Sequence, residues 1–301
     1  MISNATPQKK IITFLVLLLV LSSIFYVWII SAGGIQAYGG LLVLGIMWVP
    51  GVSGIITKLI YERSLRGMGW KPGKAKYLLL AYVIPLIYCL VVYGITWLTG
   101  LGKVPNPELM DQIMLAYGGA NTSPLVALII YCVLIATIGM VSGLLSGAGE
   151  EIGWRGFFVP ELAKITTFPR VALISGAVWT VWHLPIILFA NYNMPGIPKW
   201  YAAVMFTIMV TGINVLFSWL RLKSGSLWPA VILHASHNLF VQAIFTPLTL
   251  QTKITPYIID EFGIGLALVG IVIGWFFLLK GKQLHTKDIS NSSSDLFVSE
   301  I

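Results

Sequence analysis

Eight stretches of about 20 mostly apolar residues follow one another along the chain, roughly 11–31, 38–60, 77–99, 124–149, 171–191, 201–220, 226–247 and 262–280. Each has the length an α-helix needs to cross the hydrocarbon of a bilayer. Inside lipid a helix satisfies its own backbone hydrogen bonds, which an open sheet cannot. The predicted fold class is therefore all-α, a polytopic membrane protein of about eight transmembrane helices around a polar cavity. Composition agrees: 10% of the 301 residues are charged, against roughly 25% in an average soluble domain. Pro50, Gly51 and Gly54 weaken the second stretch as a helix, and the seventh carries His234, His237 and Asn238. A span that keeps such polar groups is expected to line a cavity.

The chain has 19 Lys and Arg against 11 Asp and Glu. In a soluble protein that excess would suggest nucleic acid, but here the positive residues fall in short loops between apolar runs, where they set topology. No nucleic-acid partner is expected. With the N-terminus inside, only Lys103, Lys199 and Lys253 fall outside and the other sixteen are cytoplasmic. Among those sixteen are the cluster Arg63, Arg66, Lys71, Lys74 and Lys76, the pair Arg221 and Lys223, and Lys280, Lys282 and Lys287. Both termini are then cytoplasmic and the number of spans is even. The apolar run after Lys9 and Lys10 reaches Ile30, longer than the roughly 7–15 residues of a signal-peptide core, and is read as a retained first span. The lack of an organelle-targeting segment fits a bacterial plasma membrane.

Residues 1–284 are read as a single membrane domain with no internal repeat. The tail 285–301, with Ser290-Asn291-Ser292-Ser293-Ser294-Asp295, cannot bury a core and is predicted to be disordered and cytoplasmic. Cys89 and Cys132 sit in apolar runs without metal-type or redox spacing and are read as core residues. The segment Trp154 to Arg170, which contains Pro160 and Pro169, is read as the cytoplasmic end of the fourth span plus an interfacial turn.

Gly149-Glu150-Glu151-Ile152-Gly153-Trp154-Arg155 leads directly out of the fourth apolar stretch. Ionisable groups at membrane depth point to function. On a helix Glu151 and Arg155 share a face, whereas Glu150 is turned about 100° away. Arg155 can therefore neutralise Glu151 and leave Glu150 without a cation. A desolvated carboxylate of that kind can take and give a proton, which describes a general base.

The fifth stretch places His183 four residues after Trp179, on one face, with Pro185 set to kink the helix just beyond. The indole can pack against the imidazole, although one membrane histidine can also be a plain packing residue. In the seventh stretch His234 and Asn238 share a face and make one site, while His237 is turned about 60° aside. His237 is read as satisfying a neighbouring helix, with a supporting role at the site as the alternative. His234 lies about 12 Å beyond Ser226, in the cytoplasmic half, and His183 lies about 20 Å beyond Arg170. Helix tilt can close part of that gap, and Glu150 reaches the same depth only if its helix runs on toward Pro160.

Paired glutamates followed by arginine, an aromatic four before histidine, and histidine four before asparagine together resemble the CAAX protease and bacteriocin-processing family of intramembrane proteases. That family is related to the CAAX prenyl endopeptidase of the Ras-converting type. The carriers are Glu150-Glu151…Arg155, Trp179…His183 and His234…Asn238, flanked by Arg155-Gly156-Phe157 and Gly225-Ser226-Leu227-Trp228-Pro229. They span roughly Ser142 to Phe240, about a third of the chain, inside a catalytic core of about 124–248. Trp179 replaces the family's more usual phenylalanine. The resemblance implies eight helices and hydrolysis of a peptide bond in a cavity open to the cytoplasm. It also implies a membrane-associated substrate, prenylated or carrying a leader peptide. By position it makes Glu150 the base that activates water, with His183 helping to hold that water. His234 and Asn238 become the oxyanion donors, and Glu151 and Arg155 the structural pair.

Two histidines and a glutamate are also a hydrolytic zinc set, but the zincin pair of histidines four apart around a glutamate is absent. No cofactor is expected; the open alternative is a divalent metal such as zinc on Glu150, His183 and His234. Two rival functions stand beside the protease. One is a transporter or channel, since membrane Glu and His mark ion paths, although a repeat such as many transporters show is lacking. The other is a non-proteolytic scaffold or immunity protein of the same family.

Overall fold

The computed structural model describes residues 5–119, 121–282 and 284. The predicted tail 285–301 lies outside them. The chain runs α1 (Pro7–Ser31), α2 (Leu41–Glu62), α3 (Ala75–Leu98), α4 (Pro107–Tyr117), α5 (Pro124–Thr137) and α6 (Gly139–Glu151). A π-helical segment (Ile152–Phe158) carries α6 into α7 (Val159–Ala163), followed by α8 (Phe168–Phe189) and α9 (Lys199–Ser224). A second π segment (Leu239–Phe245) joins α10 (Trp228–Asn238) to α11 (Thr246–Leu248), and α12 (Ile264–Gly281) closes the bundle. Two short strands, β1 (Gly102–Lys103) and β2 (Leu250–Gln251), pair antiparallel outside the helices.

Local chemistry starts these helices where the sequence allows. Thr6 and Ser123 accept from the backbone N–H of Lys9 and Val126, and Pro7 and Pro124 occupy the first turns. Arg221 and Lys223 sit in the last turn of α9, and Gly225 ends it at φ 71°. Outward faces of α1, α5 and α12 carry Leu19, Leu125, Val133 and Trp275, all exposed on the protein surface. Such faces suit lipid. Among the described residues seven helices are long and apolar enough to cross a membrane. This is an all-α, multi-pass membrane protein. The remaining predicted stretch, 226–247, is helical as α10, its π segment and α11, but is not one of those seven.

One expectation changes. Helix α2 runs unbroken through Pro50, and its small residues serve close packing. A Cβ on Gly153 would lie 2.3 Å from the Pro50 carbonyl group, and one on Gly51 would lie 2.5 Å from the Gly149 carbonyl oxygen. The backbones of α2 and the Glu150 segment therefore touch, as small residues permit between membrane helices. The segment 154–170 follows the expectation of a span end and then a turn, which falls at 164–166. It stays helical to Ala163, and Trp154, Phe157 and Phe158 are buried, the two phenylalanines stacking on Phe14 of α1. Burial of this aromatic cluster holds the helix on course past Glu150.

The two ends of the bundle differ. At one end the connection 63–74 folds across the helix ends: Leu227 donates its N–H to Gly69 O at 2.9 Å, and Ser226 Oγ donates to Pro72 O at 3.0 Å. Arg63, Arg66, Lys71 and Lys74 lie on this connection. At the other end lie the connections 32–40, 190–198 and 249–263, joined by Ile35 N–H to Ala190 O at 3.1 Å and Tyr192 OH to Glu261 Oε2 at 2.6 Å.

Replacement of Gly153 by Ala forces its new methyl against the Pro50 backbone, so α2 must move. Overpacking of this kind destabilises by about 1–3 kcal/mol. The expected outcome is a lower Tm in detergent for Gly153→Ala, with a smaller effect for Gly94→Ala, whose added Cβ meets nothing within 4 Å.

Candidate active site

Glu150, Glu151 and Arg155 leave α6 and enter the π segment with 2%, 0% and 0% of their surface exposed. Arg155 Nη1 donates to both oxygens of Glu151, at 2.9 and 3.0 Å, in the predicted one-turn pairing. Its planar guanidinium lies against the rings of Trp179 and Phe217, 4.3 and 4.2 Å from their centroids. Its Nη2 donates to Asn214 Oδ1, and Asn214 Nδ2 donates to Ala172 O at 2.6 Å and Ser175 Oγ at 2.8 Å. The ion pair thereby fixes α6, α8 and α9 to one another.

The π segment has a visible consequence here. Widening by one residue frees carbonyls from the i→i+4 ladder, a common feature at functional sites. Arg155 O accepts from Arg221 Nε at 2.6 Å, and Arg221 Nη2 reaches Gly67 O at 2.9 Å. A second buried arginine thus joins the Arg155 backbone to the connection 63–74.

Glu150 has no cationic side chain of the Arg155 kind against it. Its Oε2 accepts from Trp179 Nε1 at 2.8 Å and from Trp154 Nε1 at 3.4 Å. Its Oε1 stands 3.9 Å from His234 Nε2, too far for a direct hydrogen bond. The other nitrogen of that ring, Nδ1, donates to Glu151 Oε1 at 2.9 Å. His183 Nδ1 donates to Trp179 O at 2.9 Å, which turns Nε2 outward as an acceptor in the neutral ring. The Trp179 ring stands between both imidazoles, 5.9 Å from His183 and 5.8 Å from His234.

Glu150, His183, His234 and Asn238 line one cavity of about 290 Å³, walled by apolar side chains of α2, α8 and α9 such as Val43, Ile186 and Val210. The four residues named from the sequence are brought together, with Trp179 as a donor to Glu150 as well as a packing partner. Among the described residues no three His, Cys, Asp or Glu side chains converge at metal-binding spacing.

Sequence reading missed Trp154, although it lies one helical turn from Glu150. It also missed Asn214, Arg221 and Glu261, which only the tertiary structure brings to the site. His237 accepts from Tyr88 OH at Nδ1 and donates to Glu261 Oε1 at 3.0 Å, linking α10 to its neighbours as predicted, yet it also faces the cavity. Glu261 further accepts from Tyr192 OH at 2.6 Å and Gln242 Nε2 at 3.0 Å. Burial, and next the charge on Glu261, push the adjacent Asp260 carboxyl up to about 7. Against burial, the hydrogen bonds from His237, Tyr192 and Gln242 hold Glu261 below the usual carboxylate range.

The cavity does not reach the basic end of the bundle. Met68 of the connection 63–74 is fully buried, and Arg221 locks that connection beneath Arg155. The lining runs the other way, to Ile35, Gln36 and Gly40 in the first connection and to Tyr192 and Glu261 in the later two.

Removing one partner from a buried ion pair leaves the other charge uncompensated, at about 3–5 kcal/mol. Glu151→Gln should lower Tm strongly and reduce the folded yield. Glu150→Gln leaves the Glu151–Arg155 pair and its hydrogen bonds intact and should leave both closer to those of the wild type. Thermal melts of the two purified variants check this difference.

Residues 121–240 match the family model described as Type II CAAX prenyl endopeptidase Rce1-like. A protein of Methanococcus maripaludis named CAAX prenyl protease 2 is 25% identical over 175 residues, covering 57% of this chain and 59% of the relative. The chain thus matches less than two thirds of that relative's length. The matched region contains all three parts of the motif, and their side chains meet in one cavity. By motif, geometry and match, the region from Pro124 to Asn238 is similar to the Rce1-like CAAX prenyl endopeptidases.

Proposed function

We propose that the chain is an intramembrane endopeptidase that hydrolyses a peptide bond of a membrane-anchored polypeptide. The observation that carries this reading is the state of Glu150. One carboxylate oxygen is fixed by two indole N–H groups, and the other faces an enclosed, mostly apolar cavity beside His234. The name of the matched relative, CAAX prenyl protease 2, adds support for peptide hydrolysis at a membrane. Prenylated and leader-bearing polypeptides both belong to the anchored class.

In the proposed reaction a water molecule lies between Glu150 Oε1 and the outward Nε2 of His183. Glu150 takes its proton as the water oxygen bonds to the scissile carbonyl carbon. Two carboxylates against the single Arg155 guanidinium leave one negative charge, which an imidazolium at His234 balances. That imidazolium donates from Nδ1 to Glu151 and from Nε2 into the cavity, toward the developing oxyanion. The Asn238 amide, one helical turn along, supplies a second donor to the same oxygen. Collapse of the intermediate breaks the C–N bond, and Glu150 returns its proton to the departing amine.

No metal takes part in this scheme. The three candidate ligands already have tasks: Glu150 Oε2 holds the indoles, His183 Nδ1 holds Trp179 O, and His234 Nδ1 holds Glu151. The nitrogens left over serve water and oxyanion.

Purified protein incubated with membrane-anchored peptides in proteoliposomes tests the reading. Glu150→Gln should abolish turnover, and normal hydrolysis by this variant would remove Glu150 as the base. Asn238→Ala should lower kcat by about 10²–10³, the usual effect of losing one oxyanion donor. Chelators should leave activity unchanged. Zinc that is stoichiometric, removed together with activity and restored with it, would overturn the metal-free scheme and leave the protease assignment standing.

A further inference from the structure

Besides Glu150, the cavity holds a second carboxylate that the proposed reaction does not use. Glu261 lines it together with Tyr192, His237 and Gln242 and keeps 3% of its surface exposed. Its Oε2 accepts from Tyr192 OH at 2.6 Å, and its Oε1 accepts from His237 Nε2 and Gln242 Nε2, both at 3.0 Å. All three partners are donors, which is the setting of an ionised carboxylate. None of them is a cation. The buried Tyr88 hydroxyl donates to His237 Nδ1, so that ring carries its proton on Nε2 and is neutral. Among the described residues no lysine or arginine lines the cavity, and Lys199, at the start of α9, is turned to Leu188 O at 2.8 Å. The adjacent Asp260 is not part of the lining; its carboxyl accepts from Thr246 Oγ1 at 2.9 Å and from the Glu261 N–H at 2.8 Å.

A carboxylate taken out of water is costly unless a counter-charge meets it. Arg155 does this for Glu151, whereas Glu261 has hydrogen bonds alone. A carboxylate also offers about four acceptor sites, and the three donors leave one on Oε2 unused. We propose that Glu261 is the subsite for a positively charged side chain, lysine or arginine, that the polypeptide substrate carries next to the bond being cut. This rests on the hydrolytic reading above and adds what the substrate must present. Tyr192 links the subsite to the catalytic groups: its hydroxyl holds the carboxylate, and its ring stacks 6.4 Å from that of His183. His237 follows His234 by three residues on α10. The carboxylate is thus one side chain removed from the groups that act on the scissile bond, within reach of a neighbouring residue's side chain. The carbon stem of that lysine or arginine lies along apolar walls such as Phe206 and Val210, with its charged head at Glu261.

Peptide binding by the Glu150→Gln protein in proteoliposomes tests this without turnover. Membrane-anchored peptides carry lysine, acetyl-lysine or glutamate at one position, which is moved in turn across the central residues. Acetylation removes the charge and keeps the stem. At one position lysine should bind about tenfold or more tightly than acetyl-lysine, as close charge pairs across an interface do, and glutamate should bind most weakly. Adding Glu261→Gln should bring lysine and acetyl-lysine to the same affinity. Asp260→Asn, which loosens the same loop behind the cavity wall, should keep the lysine preference. Equal loss of affinity for every peptide in both variants would reduce Glu261 to a structural tie and overturn the proposal. Equal affinity for lysine and acetyl-lysine at every position overturns it as well, whether or not Glu261→Gln folds. Wild-type kcat/KM on the same peptides should follow the order of binding. If lysine is preferred in binding while the wild type cuts none of the peptides, the cation subsite stands and the failure falls on the hydrolytic reading.

Discussion

Everything at the centre of this bundle depends on the burial of Arg155 beside Glu151. A guanidinium removed from water is tolerable only when its charge and its N–H groups are met by protein. Here Glu151 meets the charge, Asn214 takes Nη2, and the faces of Trp179 and Phe217 cover the plane. Those partners come from three helices, so satisfying one side chain positions all three. Glu150 and Trp179 are placed by the same packing, although neither is part of the pair. The Nε of Arg155 has no hydrogen-bond partner, which indicates that geometry at the carboxylate took precedence over complete satisfaction of the guanidinium.

Much of this could be read from the sequence because helical spacing converts directly into faces. Glu151 and Arg155, Trp179 and His183, and His234 and Asn238 are each four apart, and each pair lies together as that spacing requires. Hydropathy located the long helices for the same reason. What sequence could not supply was the identity of neighbours far along the chain. Asn214 is an ordinary polar residue in an apolar helix until Arg155 is placed beside it. Glu261 stands in a loop whose return over α10 no local pattern encodes. Trp154 is different, since it lies one turn from Glu150 and the spacing rule reached it; attention to charge obscured an indole donor.

The misread segments share a cause. Pro50, Gly51 and Gly54 look like helix breakers when considered singly, and Pro160 looks like a stop. In the bundle, Pro50 is accommodated where Gly149 and Gly153 let the facing helix come to backbone contact, and Pro160 sits inside a continuous helix, where the π segment passes into α7. Positive charge identified one end as the basic one, and nothing in composition could reveal that the connection 63–74 folds back across the helix ends there. Hydrogen bonds from Arg221, Ser226 and Leu227 to that connection are long-range, and only the assembled structure contains them.

The choice of indoles as partners for Glu150 carries the chemistry furthest. An arginine bonded in their place would orient the carboxylate equally well, but as a permanent cation in direct contact it would weaken the carboxylate's affinity for a proton. Neutral N–H donors fix Oε2 by hydrogen bonding and leave the charge available at Oε1, on the side that faces His234 and the cavity. The adjacent glutamate shows the contrast within two residues. Glu151 is held by Arg155 and His234 through charged or polarised N–H groups and has no oxygen turned to the cavity. One helical step of about 100° separates the two carboxyl groups. That rotation places one carboxylate in an ion pair that holds the fold and the other in a cavity where proton transfer can occur.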